Sequence, residues 1–209
     1  FFAQRRTNDA PLTMKPVFFG PGLWHAMLVC AFCAKASDAK GIMSMFDRIG
    51  ELLPCVLCRQ HYADYRRKKR TVPGNRDALF RWVYDLKHDV NRRIGQRSPP
   101  FEDIAARFDL SEGRCDDVLI ADTLFMLAYA VRSLPDETRT FLAFCGDLAS
   151  YLPLPRDSEL QKRLVGAATY SDADQVPIIR IAREMCAATR REHGLPAVNA
   201  RRVRQFSED

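Results

Sequence analysis

An all-α fold is predicted by two regularities and one absence. Five segments carry apolar residues at steps of three and four, and the breaks between them fall on proline and glycine. No stretch sustains the every-second-residue alternation of a half-buried strand. The pattern predicts helices over 23–35, 42–53, 55–69, 76–94 and 101–107.

The first helix contains the longest apolar run, Leu23 to Ala34, interrupted by His25. The second closes at Leu53-Pro54, where proline stops it. The third opens on Cys55 and runs into Arg66-Arg67-Lys68-Lys69-Arg70, cations at a helix C-terminus, where the dipole favours them. Pro73-Gly74 separates it from the fourth helix, and Ser98-Pro99-Pro100 separates the fourth from the short fifth.

Shifting the chain by about a hundred positions brings a weaker second copy into register. Trp24 falls near Phe125, Leu53-Pro54 on Leu152-Pro153, Arg81 on Arg180, Gly95 on Gly194 and Phe108 on Phe206. These separations all lie between 98 and 101 residues, the mark of an internal repeat. Leu154-Pro155-Arg156-Asp157 stands where the first copy has its cysteines, so the copy keeps a bundle without its thiols. The architecture expected is a four-helix bundle plus a short fifth helix over residues 18–115. A second, degenerate helical bundle of similar topology follows over 116–209.

Composition narrows the classes. With 209 residues, 47% of them apolar, there is enough for a buried core, and no run is long enough to span a bilayer. The chain opens on Phe1, so a signal or anchor upstream stays open. The net charge of +6 and a pI near 9.0 invite a nucleic-acid reading. The basic run lacks the interleaved aromatics of a single-strand binder, so that reading is set aside. Seven cysteines are too sparsely spaced for a disulfide scaffold, which points to catalytic pairing.

That pairing is written in Leu53-Pro54-Cys55-Val56-Leu57-Cys58-Arg59-Gln60-His61-Tyr62. Two thiols three residues apart share a helix turn, where a short disulfide can open and close without refolding its surroundings. A helix N-terminus just after Pro54 lowers the thiol pKa and raises the thiolate fraction. The spacing alone also suits zinc knuckles and plain cores. Its flanks narrow it: Gly20-Pro21-x-x-Trp24 upstream, Leu79 to Leu86 and Val90-Asn91-Arg92-Arg93-Ile94-Gly95 downstream.

Together, over roughly residues 18–108, these motifs resemble the Erv/ALR family of FAD-dependent sulfhydryl oxidases. The pattern is closest to the viral, baculovirus-type branch, in which a cofactor-free bundle follows the active one. The resemblance implies Cys55 and Cys58 as the catalytic pair, Cys58 facing the flavin and Cys55 exchanging with substrate. It places FAD against Trp24, His25 and Leu28 on the first helix, and against Cys58, His61 and Tyr62 on the third. Trp82, Lys87, His88, Val90, Asn91, Arg92, Ile94 and Gly95 complete the cofactor set on and after the fourth.

Two departures bear on cofactor binding. The family's Trp-x-x-x-His has Leu28 in the histidine's place, with His25 as an imidazole that could partly replace it. The family's His-Asn-x-Val-Asn aligns to Lys87-His88-Asp89-Val90-Asn91, so a lysine takes the adenine-stacking position. Cys30 and Cys33, with Cys55 and Cys58, also have a spacing not far from a zinc ribbon. Cys115 is the best of the remaining thiols for a shuttle, and Cys145 and Cys186 read as core.

The resemblance thus implies an FAD-linked thiol oxidase that makes disulfides in partner proteins, viral ones by this style of motif, and reduces O2 to H2O2. It also implies either a homodimer or an intramolecular pseudo-dimer, and a place in the virion and in the infected cell's cytoplasm or nucleus. The competing reading is a non-catalytic helical scaffold or virion structural protein derived from an oxidase.

Overall fold

The computed structural model describes residues 14–111, 114–130, 135–170 and 177–198. Its helices are α1 Pro16–Phe32, α2 Ala39–Leu52, α3 Val56–Lys68, α4 Arg76–Arg93, α5 Phe101–Leu110, α6 Asp117–Ala130, α7 Pro135–Tyr151, α8 Glu159–Ala168 and α9 Ile178–Glu192. There is no strand among the described residues. The fold is all-α, as the periodicity predicts.

Helix α1 begins earlier than predicted, because Pro16 sits at the first position, where a missing N–H removes no helical bond. Pro21 follows barely a turn later and is tolerated inside the helix. Helix α5 runs three residues beyond its predicted end. The second-copy counterpart of Phe108, Phe206, lies outside the described residues.

One continuous apolar core joins the two halves. In the first, α1 packs on α4 and α2 on α3; in the second, α6 packs on α9 and α7 on α8, with α8 also against α9. The halves meet through α1 against α6 and α2 against α7. Each helix of the interface faces its own counterpart, the arrangement of a twofold dimer within one chain.

Two contacts lie where such an axis would pass. Arg48 bonds Asp147, 99 residues further on, at 2.5 Å across α2 and α7. Gly22 packs on Thr123, 101 residues further on, across α1 and α6. A Cβ at Gly22 would overlap the Thr123 side chain and lie 2.9 Å from the Leu119 carbonyl oxygen. The ends of α4 and α9 match as well. Gly95 (φ 71°) and Gly194 (φ 67°) adopt the left-handed conformation just past their helices. Gln96 N–H donates to the Asn91 carbonyl and Leu195 N–H to that of Arg190, each at 2.8 Å, the 6→1 bond of a Schellman cap.

The connection between the halves is fastened by two imidazoles. His25 Nε2 accepts the Asp116 N–H at 2.8 Å, and His193 Nε2 lies 3.0 Å from the Asp117 carboxylate at the start of α6. Burial pushes the His25 pKa down, against an opposing pull from Asp116. A neutral ring is what an acceptor requires. The Asp117 carboxylate pushes that of His193 up.

The Arg48–Asp147 pair is half-buried, and burial raises the Asp147 pKa despite its guanidinium partner. Reversing one charge alone, Asp147→Arg, should cost about 2–4 kcal/mol because it leaves two cations facing each other in a partly dry interface. Adding Arg48→Asp should recover most of that loss. Urea unfolding of the wild type, both single variants and the double variant measures the cycle.

For His25, the lowered folded pKa means that its contribution is complete above the ordinary value of about 6.5 and is lost as pH falls through the folded value. The urea midpoint of the wild type should therefore fall more steeply between pH 7 and pH 5 than that of His25→Gln. The glutamine can accept the same N–H and does not titrate.

Candidate active site

Chain direction reverses at Leu53-Pro54, between α2 and α3, because Pro54 cannot continue α2. Cys55 becomes the N-cap of α3, extended at φ −109° and ψ 116°, and its sulfur accepts the Cys58 N–H at 3.2 Å. Cys55 and Cys58 are joined as a disulfide with Cα atoms 5.1 Å apart. Both are half-buried, and the residues between them are open to solvent, Leu57 at 65% exposure. The Arg59 side chain folds back over the turn and donates from Nε to the Leu53 carbonyl at 2.5 Å. A sulfur that receives a helix N-terminal amide is stabilised as a thiolate when the disulfide opens.

Beneath the disulfide, α3 continues its face with Tyr62 and Tyr65, one and two turns on. Tyr62 packs so closely on Gly50 of α2 that a Cβ there would come within 2.5 Å of its ring. Trp82 of α4 stacks on Phe46 at 5.9 Å between centroids and meets Tyr65 edge-on at 5.4 Å. Arg66 covers Trp82 at 5.6 Å and is held by a two-pronged pair to Asp47 at 2.6 and 3.0 Å. The hydroxyls of Tyr62 and Tyr65 and the Trp82 Nε1 are buried with no hydrogen-bond partner. Three orphaned polar atoms on this aromatic bed are what a bound polar group would satisfy.

A cleft opens on the adjoining face of α4. Leu28 of α1, Tyr84, Lys87, His88 and Asn91 of α4, Ser98 and Pro99 of the following turn, and Ile104 of α5 line it. Lys87 is half-buried without a carboxylate partner among the described residues, and desolvation lowers its pKa. An unpaired cation in that position suits an anionic group such as a pyrophosphate. Tyr84 donates to the Pro99 carbonyl at 2.8 Å and stacks near His88 at 6.1 Å, while Asn91 Nδ2 donates to Ser98 Oγ at 3.0 Å. These bonds fix the 98–99 turn as one wall. The cleft and the orphaned atoms together fit the chemistry of the flavin dinucleotide that the resemblance implies.

The residues singled out from the sequence do not all meet in one place. Leu28, Lys87, His88 and Asn91 meet in the cleft; Cys55, Cys58, Tyr62 and Trp82 form the disulfide and its aromatic bed. Trp24 and Val90 are half-buried on α1 and α4. His61 and Ile94 are exposed, and so is Arg92, paired with Asp89 at 2.8 Å. Gly95 serves the helix cap. His25 bonds the connection between the halves and is not among the residues that line the cleft. Tyr84, Ser98, Pro99 and Ile104 had no signal in the motifs, apart from the one-turn spacing of Tyr84 from Lys87 and His88.

The four thiols that could make a zinc ribbon are not gathered. Cys55 and Cys58 bond each other, while Cys30 lies fully buried within α1 and Cys33 caps it. Among the described residues, the only metal-capable group is Asp117, Glu192 and His193 at the connection, and two of those are exposed. Burial pushes the Cys115 thiol up to about 12, and Cys145 and Cys186 to similar values. A thiol held that far from ionisation is a poor shuttle.

Comparison with known proteins places this geometry. The model of the Erv1 / Alr family matches residues 22–109, which span the disulfide, its aromatic bed and the cleft. A protein named FAD-linked sulfhydryl oxidase, from a Kenyan pig isolate of African swine fever virus, is 27% identical over 85 residues. That match covers 38% of this chain and 70% of the viral protein. Its namesake from a Malawian tick isolate is 26% identical with the same coverage. No solved structure matches the chain. Residues 22–109, which hold the helix-capping disulfide and the cleft, are similar to the Erv1/Alr family and to these viral proteins.

Proposed function

We propose that this protein is an FAD-linked thiol oxidase that introduces disulfides into partner proteins. The observation that carries the reading is the Cys55–Cys58 disulfide at the N-terminus of α3, its neighbouring residues exposed and orphaned polar atoms beneath it. A substrate thiolate attacks Cys55 Sγ, forming a mixed disulfide and releasing Cys58 as thiolate. The second substrate thiolate then attacks the substrate sulfur of the mixed disulfide and releases Cys55. The amide of Cys58 and the helix dipole favour that departure. Two electrons have moved to the Cys55/Cys58 pair, and the substrate has gained a disulfide.

Bound FAD supplies the return of those electrons to O2 as H2O2, a step that thiols alone perform poorly. Tyr62, Tyr65 and Trp82 would offer their unpartnered polar atoms to the cofactor, and Lys87 its charge. Lys87 and His88, the long side chains at the cleft, would have to turn aside, because the cleft of about 20 Å3 holds about one water. On this reading residues 18–115 are the oxidase. Residues 116–209 are a flavin-free partner within the same chain, and the substrates are viral proteins in the infected cell. The scaffold alternative has only Leu28 and Lys87 in its favour.

Purified protein should be yellow, with flavin absorbance near stoichiometric. Cys58→Ser should abolish oxygen consumption with a dithiol while keeping the helical fold and any bound flavin, and Cys55→Ser should also stop turnover. Retained oxygen uptake in either variant would refute the assignment.

A second measurement addresses the departures. Lys87→Ala with His88→Ala should weaken FAD retention by tenfold or more, and His25→Ala by little. Lys87→His with His88→Asn should retain FAD equally or better, since an imidazole stacks on adenine and an ammonium does not. Titration of the apoprotein with FAD gives each constant.

A further inference from the structure

The second half contains a cleft of its own, and its position repeats that of the first. Arg183, Cys186, Ala187, Ala197 and Val198 line it, each 99 residues after a residue that lines the first cleft. Phe125 of α6 forms the floor, 101 residues after Trp24 of α1. The space has survived while its chemistry has been replaced. Where the first cleft has Lys87, His88 and Ser98, the second has Cys186, Ala187 and Ala197.

These shorter side chains leave about 190 Å3, against about 20 Å3 in the first cleft. An apolar cavity of about 150 Å3 is enough to take up a benzene ring. The polar groups beside it are already satisfied. Arg190 is spent on Asp122 at 2.7 Å and the Pro196 carbonyl at 2.6 Å, and the Cys186 thiol donates to Asp122 at 3.1 Å. Glu184, which also lines the slot, lies near Arg163 and Arg180, whereas exposed Arg183 has no carboxylate partner among the described residues. The lining therefore offers apolar walls, a carboxylate engaged by two other guanidinium groups, and one available cation, Arg183. Nothing in it suits a dinucleotide's pyrophosphate and adenine as Lys87 and Asn91 do.

We propose that the second half is a binding site for a flat, ring-sized apolar anion of the aryl-carboxylate class, with the ring against Phe125 and the carboxylate on Arg183. The site is independent of the redox reading of the first half. The test uses the full chain, with indole-2-carboxylate as probe and neutral indole as comparison, by isothermal titration. One saturable site with a dissociation constant below about 1 mM is expected. Arg183→Gln should weaken it by about tenfold, one charge-assisted contact. Ala197→Trp, an exposed position whose indole would fill the slot, should abolish binding while circular dichroism, flavin content and dithiol oxidation stay unchanged.

Three results would overturn the proposal. One is no saturable binding up to several millimolar. Another is binding that survives Ala197→Trp. The third is equal affinity for indole and its carboxylate.

Discussion

Helix α1 is the constraint on which the remaining structure depends. Every residue from Ala26 to Ala31 is buried, so the helix shows apolar surface on all sides and cannot lie on the outside of a single bundle. Helix α6 repeats the condition from Thr123 to Ala128. Each is covered on one side by a partner of its own half, α4 or α9, and on another by the other. The side of α1 facing α4 holds Leu28, a wall of the first cleft. The cleft's shape therefore rests on a helix that the second half also covers, through α6.

The Cys55–Cys58 turn is built differently, from local backbone rules with little help from the core. Pro54 ends one helix, Cys55 caps the next, and Arg59 ties the turn to the Leu53 carbonyl. Closing a disulfide across one helical turn needs only that these few residues hold their places. The aromatic bed is the rigid part. Phe46, Tyr65 and Trp82 come from three helices and lock one another, which fixes α3 relative to α4 and the disulfide relative to the cleft.

Much of this was legible in the sequence because its signals are local. Helix periodicity, Pro54, Pro73-Gly74 and Ser98-Pro99-Pro100 mark elements and boundaries, and Cys-x-x-Cys at a helix start needs no tertiary information. Tyr84, Ser98, Pro99 and Ile104 were not legible as one wall, since they meet only once α5 folds back and Tyr84 bonds Pro99. The partner of His25 was not legible either. Its spacing of three residues from Leu28 suggested the cofactor, and the structure shows in addition that the connection between the halves supplies an N–H for it to accept. A one-residue rotation on a helix changes which neighbour a side chain meets, and a sequence pattern alone does not say which neighbour is there.

The contacts at the axis explain why the two halves could diverge yet stay together. In a dimer of identical bundles, a residue on the twofold axis meets its own copy, so any charge there meets a like charge and any bulk meets equal bulk. Two first halves joined this way would oppose Arg48 to Arg48 and leave Gly22 facing Gly22. In the single chain the same positions hold Arg48 with Asp147 and Gly22 with Thr123, attraction in place of repulsion and a side chain in place of a void. Once such pairs exist, the interface fits the other half better than a second copy of itself. Covalent linkage adds the advantage of a high effective concentration. The apolar interface helices α1 and α6 thus hold together two halves that differ elsewhere, in their thiols and in the side chains of their clefts.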